Sequence, residues 1–211
     1  MTLETRLSRI ASDLRIDVVH PEQVDRKLYV QELDAEGKAE ILVEIPAGRR
    51  GMSLDLHGHK RFTELASSKS ADGSLLLEDD DGWVGIVIEC KKSLSPNVVA
   101  KASEQIRSGV NRLAMMAALL ELPVQAWHTF IATRGWPASS QSDPALTKLP
   151  ISSSERQRLT KQSLEDGTAV VDDTAAGSVT LGLIALDGEG TGTLRLPVPS
   201  AKRRDQKNES G

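Results

Sequence analysis

The sequence predicts an α/β protein with a mixed central sheet, on three observations. Trp83 to Cys90 is a long apolar strand. Val99, Ala102, Ile106, Val110, Leu113, Ala117 and Leu120 then recur at steps of three and four, the spacing of one buried helix face. Val124 to Thr133 follows as a strand rich in β-branched and aromatic residues, closed by Gly135 and Pro137.

The remaining elements read as follows in chain order. Leu3, Leu7, Ile10 and Leu14 predict a short amphipathic helix over residues 2–15. Lys27 to Leu33 and Ala39 to Ile45 are strands joined by Asp34-Ala35-Glu36-Gly37, a loop that suits a hairpin. After the turn Arg49-Arg50-Gly51, Met52 to Leu56 is a third extended segment. Ser74 to Glu78 is a short strand, and Asp81-Gly82 signals a two-residue turn into the long apolar strand. Ser95-Pro96 supplies an N-cap and a proline at the first position of the main helix.

Residues 136–150, rich in Ser, Pro and Asp, read as a linker, and a short helix is expected over 153–164. Val179, Leu181, Leu183 and Ala185 alternate, as do Leu194, Leu196 and Val198, which predicts a C-terminal β-hairpin extension with one buried face. The expected organisation is a main domain over 1–150, a β-rich extension over 151–199 packed on it, and a disordered tail over 200–211.

A chain of 211 residues is long enough for one sizeable core. The net charge of −4 argues against indiscriminate polyanion binding and leaves room for one basic face. The single cysteine, Cys90, excludes an intrachain disulfide and suits a reducing compartment. No apolar run approaches the ~20 residues needed to cross a bilayer, and the first residues lack a secretion pattern. A cytoplasmic protein without membrane contact is expected.

With Asp81-Gly82 as the turn, cross-strand partners sum to 163, so Asp72 opposes Lys91 and lies diagonal to Glu89. Residues opposite one another, or two apart on one strand, point to the same face. Asp72, Glu89 and Lys91 therefore share a face, while Ile86, Ile88 and Cys90 line the other. Two carboxylates hold a hard cation such as Mg²⁺ or Mn²⁺, and a neighbouring ammonium orients a bound water. The chemistry this points to is metal-assisted phosphodiester hydrolysis. On the following helix Gln105 is suited to the water or a phosphate, and Lys101 to the substrate backbone. Lys92, Arg107 and Arg112 add a local basic rim.

Asp72, then Glu89-Cys90-Lys91 closing an apolar strand, then a helix carrying Gln105, then a further strand resembles the PD-(D/E)xK, restriction-endonuclease-like nuclease superfamily. That resemblance implies an α-β-β-β-α-β core and a Mg²⁺- or Mn²⁺-dependent endonuclease or exonuclease. Its substrate would be DNA, less often RNA, and its role defence against foreign DNA or repair. Asp72 and Glu89 would hold the metal, Lys91 and Gln105 would complete the catalytic set, and Lys92 and Lys101 would contact substrate. Ala71 stands where the family has proline, and Gly109 where some subfamilies have an aromatic residue. An acidic residue from the first helix often joins the site, and Glu4 and Glu22 are the candidates. The small size calls for a homodimer or a partner subunit to supply grip. The alternative is a catalytically inactive nuclease-like fold that binds nucleic acid or assembles a complex.

Other constellations are weaker. Asp55, His57 and His59 would share a strand face, but no further His or Cys completes a transition-metal site. Parity buries Cys90 as a nucleophile. Gly188 to Gly192 lacks a following helix and lysine, and reads as a turn rather than a phosphate loop. Trp83, Trp127 and Trp136 read as packing residues.

Overall fold

The computed structural model describes residues 2–10, 14–34, 37–56, 70–136 and 159–195. Helix α1 (Leu3–Ile10) leads into strands β1 (Ile16–Val19), β2 (Lys27–Asp34), β3 (Gly37–Glu44) and β4 (Gly51–Leu54). The hairpin β5 (Gly73–Asp79) and β6 (Gly82–Lys91) precedes the long helix α2 (Pro96–Leu119) and β7 (Val124–Thr133). A short helix α3 covers 159–165, followed by β8 (Val170–Thr174), β9 (Gly177–Ala185) and β10 (Thr191–Leu194).

Seven strands form the main sheet in the order β1-β4-β5-β6-β7-β9-β8, and three form a second sheet in the order β10-β3-β2. In the main sheet β6 and β7 run parallel, as do β7 and β9, while its other pairs are antiparallel. The fold is thus α/β with a mixed central sheet, as the sequence predicts.

The long apolar run in β6 follows from burial on both faces. Trp83 and Val87 pack in the core under α2, with Val99, Ala102, Ile106, Val110 and Leu113. Val84, Ile86, Ile88 and Cys90 point the other way and pack against Leu28, Val30, Ile41 and Val43 of the second sheet. Ser95 caps α2, its hydroxyl accepting from the Val98 N–H at 3.3 Å, with proline next in the chain. No helix among the described residues is long and apolar enough to cross a membrane.

Four expectations need correction. The β5–β6 turn is Asp80-Asp81, with Asp79 paired to Gly82, so partners sum to 161 rather than 163. Gly82 is required for another reason: at φ 147° its backbone passes so close to β7 that a Cβ would lie 2.8 Å from the Pro123 carbonyl oxygen. What reads as a turn glycine is a packing glycine. The register shift is even, so facing within the ladder is unchanged, but Asp72 lies one residue outside the ladder, and its carboxylate gathers with Glu32 and Cys90 toward the second sheet.

The C-terminal strands do not form a hairpin. After β9 the chain turns through 186–190 and leaves the main sheet, so that β9 lies parallel to β7 and β10 parallel to β3. Ile184 and Leu194 both enter the core between the sheets, whereas Val179 and Leu181 belong to the α2 side. The two alternations thus serve two different sheets. Helix α1 is shorter than the expected 2–15, and β1 and β8 are strands not anticipated. Arg112, expected on a basic rim, is 1% exposed and donates to the Leu56 carbonyl at 2.7 Å. The expected tail over 200–211 and most of the linker lie outside the described residues.

Candidate functional site

The strand β6 ends in polar residues where it runs out from beneath α2. Glu89 is nevertheless completely buried, at 0% exposure, and Lys91 is half-buried. The Lys91 ammonium donates to Glu89 Oε1, and Glu89 Oε2 is buried with no hydrogen-bond partner among the described residues. Burial first, then the nearby Asp72 charge, pushes the Glu89 carboxyl up to about 8, against the opposing pull of Lys91. For Lys91, burial favours loss of the proton, but the contact with Glu89 outweighs it and holds the ammonium above its ordinary range.

Asp72 sits one residue before β5, where the last ladder pair is Gly73 with Ile88. Its Oδ2 accepts from the Cys90 N–H at 2.7 Å, which fixes the carboxylate at the end of the hairpin. From the second sheet, Glu32 of β2 reaches the same place. Ligand atoms of Glu32, Asp72 and Cys90 all lie within 4.8 Å of one another. Burial, then the Asp72 and Glu32 charges, holds the Cys90 proton well above the usual thiol range.

Asp72, Glu89 and Lys91 therefore occupy one end of β5 and β6, joined by Glu32. Neither acidic residue considered as a completing ligand is there. Glu4 pairs at 3.8 Å with Arg50, which lies at the opposite end of β5. Glu22 is exposed beside Pro21, whose carbonyl is tied by Arg26 to the Arg49 carbonyl near the β5–β6 turn. Glu32 carries a readable signal in the sequence: Leu28 and Val30 are buried, and Glu32 continues their parity, so a carboxylate occupies an inward position.

Gln105 is half-buried on α2, while Lys101 and Lys92 are exposed. Arg107 is half-buried, its Nε donating to the Asp172 carbonyl at 2.8 Å. Asp55 is exposed, and its companions His57 and His59 lie outside the described residues. Cys90 is 3% exposed, Trp83 is buried, and Trp127 and Trp136 pack partly buried against the core under α2.

A groove of about 520 Å³ opens from Asp72 between the two sheets, lined by Arg15, Asp17, Lys27, Tyr29, Gln31 and Ser53, with Arg15 and Asp17 paired at 3.6 Å. It runs past β1 and β2, each at the edge of its sheet. Glu32 and Asp72 gather with the Cys90 sulfur, while Glu89, engaged by Lys91 and with one buried oxygen lacking a partner among the described residues, stands outside that group; carboxylates placed so are the type of donor a divalent cation takes.

No protein-family model matches the chain, and neither a curated protein nor a solved structure matches it.

Proposed function

We propose that the chain is a metal-dependent nuclease hydrolysing phosphodiester bonds of DNA or RNA. The observation that carries this is Glu89: a fully buried carboxylate with one orphaned oxygen, paired to Lys91 and beside Asp72, at the end of an otherwise apolar central strand. A protein interior retains such a group at a cost that a bound cation offsets.

Asp72 and Glu89 would hold Mg²⁺ or Mn²⁺, which polarises a phosphoryl oxygen and acidifies a bound water. Lys91 would orient that water and stabilise charge developing on phosphate. Gln105 would hydrogen-bond the scissile phosphate, and Lys92 and Lys101 would attract the backbone. The groove beside Asp72 supplies a path for a strand, with Arg15 and Lys27 for phosphates and the 49% exposed Tyr29 for a base. With β1, β2 and β3 set aside as additions between α1 and β4, the order α1, β4-β5-β6, α2, β7 has the succession the PD-(D/E)xK resemblance implies, which supports the reading. A second copy or a partner subunit would add grip.

The alternative is a catalytically inactive nuclease-like module that binds nucleic acid or assembles a complex. The withdrawal of Arg112 into the core favours it, since that thins the basic rim. Cleavage of DNA and RNA with Mg²⁺ or Mn²⁺ decides between them, comparing the wild type with Glu89→Ala and Lys91→Ala. The nuclease reading expects a loss of at least about 100-fold in both variants. Equal residual activity in all three proteins would remove it.

A further inference from the structure

Ser74 is a second polar side chain held inside the core without a partner. It is 2% exposed, and its Oγ, like Glu89 Oε2, is buried with no hydrogen-bond partner among the described residues. A nearby hydroxyl with a structural role behaves differently: Thr129, opposite Val87 on β7, is also buried and donates to the Thr180 carbonyl at 2.7 Å. An alanine at position 74 would serve packing alone, without the cost of an unbonded hydroxyl.

The β5–β6 register brings the two side chains to one face. Ser74 opposes Val87, which packs under α2, and Leu76, two residues along β5, packs there as well. Glu89 lies two residues beyond Val87 on β6, so Ser74 and Glu89 are diagonal neighbours on the α2 side. Diagonal positions stand about 7–8 Å apart along the backbone, within reach of a long side chain. The hydroxyl makes no direct hydrogen bond to the carboxylate, so what joins them is an intervening particle. A carboxylate oxygen only accepts, while a hydroxyl accepts or donates, which suits a cation carrying its own water.

We propose that Ser74 is a positioning residue of the metal site: its hydroxyl holds a water of the divalent cation that Glu89 Oε2 ligates. The proposal rests on the reading of Glu89 as a metal ligand, but not on cleavage of phosphodiesters. Mg²⁺ held by one or two carboxylates keeps several waters, and a hydroxyl fixed on the sheet selects where one of them sits. Ser74 then tightens cation binding, while its hydroxyl lowers stability when no cation is bound.

The opposite signs of those two effects are what the experiment reads. Mn²⁺ binding to the full chain is followed by loss of the free-ion paramagnetic resonance signal, and stability by urea unfolding with a chelator present. Ser74→Ala is expected to weaken Mn²⁺ binding at least about tenfold. In chelator the same variant is expected to be at least as stable as the wild type, because it removes an unbonded buried hydroxyl. Ser74→Thr keeps the hydroxyl and is expected to recover most of the affinity. A purely structural role would instead make Ser74→Ala the less stable protein in chelator, or keep it from folding, and either result overturns the proposal. Unchanged Mn²⁺ affinity in Ser74→Ala, the mark of a trapped water only, overturns it too, as does a wild type that binds no Mn²⁺ or a Ser74→Thr that binds no better than Ser74→Ala. Mn²⁺ binding that depends on Ser74, in a protein that cleaves nothing, supports this role and removes the nuclease reading. Cleavage lost in Glu89→Ala, with Mn²⁺ affinity unchanged in Ser74→Ala, does the reverse.

Discussion

An ionised carboxylate with no exposed surface, beside a second carboxylate, opposes folding even when an ammonium is within reach. Glu89 is in that position, and the consequence is a pH dependence of definite sign. Its carboxyl titrates near 8 when folded and near 4.5 when unfolded, so between those values the folded protein binds more protons. Stability contributed by Glu89 is therefore fully present below about 4.5, falls as pH rises, and levels off above about 8. The slope for one proton is at most about 1.4 kcal/mol per pH unit. Glu89→Gln keeps the shape and removes the charge, so with a chelator present it should gain on the wild type progressively from pH 4.5 to 8. Urea unfolding of both proteins across that range measures it; parallel curves would show that Glu89 is not the strained group.

The roles at this scale were unequally legible. Glu89 and Lys91 could be picked out because polar residues end an apolar run, and that is a local feature. Glu32 is equally local in its parity with Leu28 and Val30, but its meaning depends on the second sheet folding over the end of β5. No spacing within β2 announces that neighbour. Arg112 failed for the converse reason: it sits among apolar positions of α2, and what makes a buried guanidinium tolerable includes the carbonyl of Leu56, 56 residues away in sequence.

Among the elements, α2 determines how closely the site is covered. Its middle approaches the sheet so tightly that a Cβ on Gly109 would lie 2.8 Å from Val87 Cγ1 and 3.0 Å from Ala71 Cβ. Ala71 precedes Asp72, so pressure on the helix is transmitted to the hairpin end. Alanine in place of helical glycine ordinarily gains about 1 kcal/mol, but forcing extra volume into a packed contact costs about 1–3 kcal/mol. Gly109→Ala is expected to destabilise on balance and Gly109→Val more so, both read as a lowered thermal midpoint. A Gly109→Ala protein more stable than the wild type would mean that the helix lifts without resistance. At the other end, Ser95→Ala should cost about 1 kcal/mol by leaving the Val98 N–H uncapped.

The helix itself was readable because its period and cap are both local. The hairpin register was not, since Gly82 answers to the Pro123 carbonyl across the sheet rather than to its own turn. At four and five residues, β1 and β8 are too short for alternation to distinguish them from loop.

At the scale of the molecule, the central sheet is enclosed by α2 on one face and by β2, β3 and β10 on the other. The small sheet is completed by a strand from near the end of the described chain, a pairing of distant segments that no local pattern encodes. The crossing point is Gly190. Its φ is 82°, its carbonyl accepts from the Glu40 N–H at 2.9 Å, and a Cβ there would lie 2.1 Å from the Lys38 carbonyl oxygen. Backbone oxygen at that distance cannot be displaced by a rotamer change, and L side chains disfavour the conformation as well. Gly190→Ala should therefore detach β10 from β3, leaving a two-stranded ribbon, which is marginal alone, over the face of β6 that carries Cys90. The expected result is a thermal midpoint lower by several degrees and faster labelling of Cys90 by a thiol reagent. Arg195→Ala supplies the contrast. It removes the exposed contacts to Glu44 at 2.9 and 3.1 Å, worth about 0–1 kcal/mol, and leaves the strand pairing intact. If the two variants label alike, β10 does not guard the inter-sheet side, and the closure of that face must come from β2 and β3 alone.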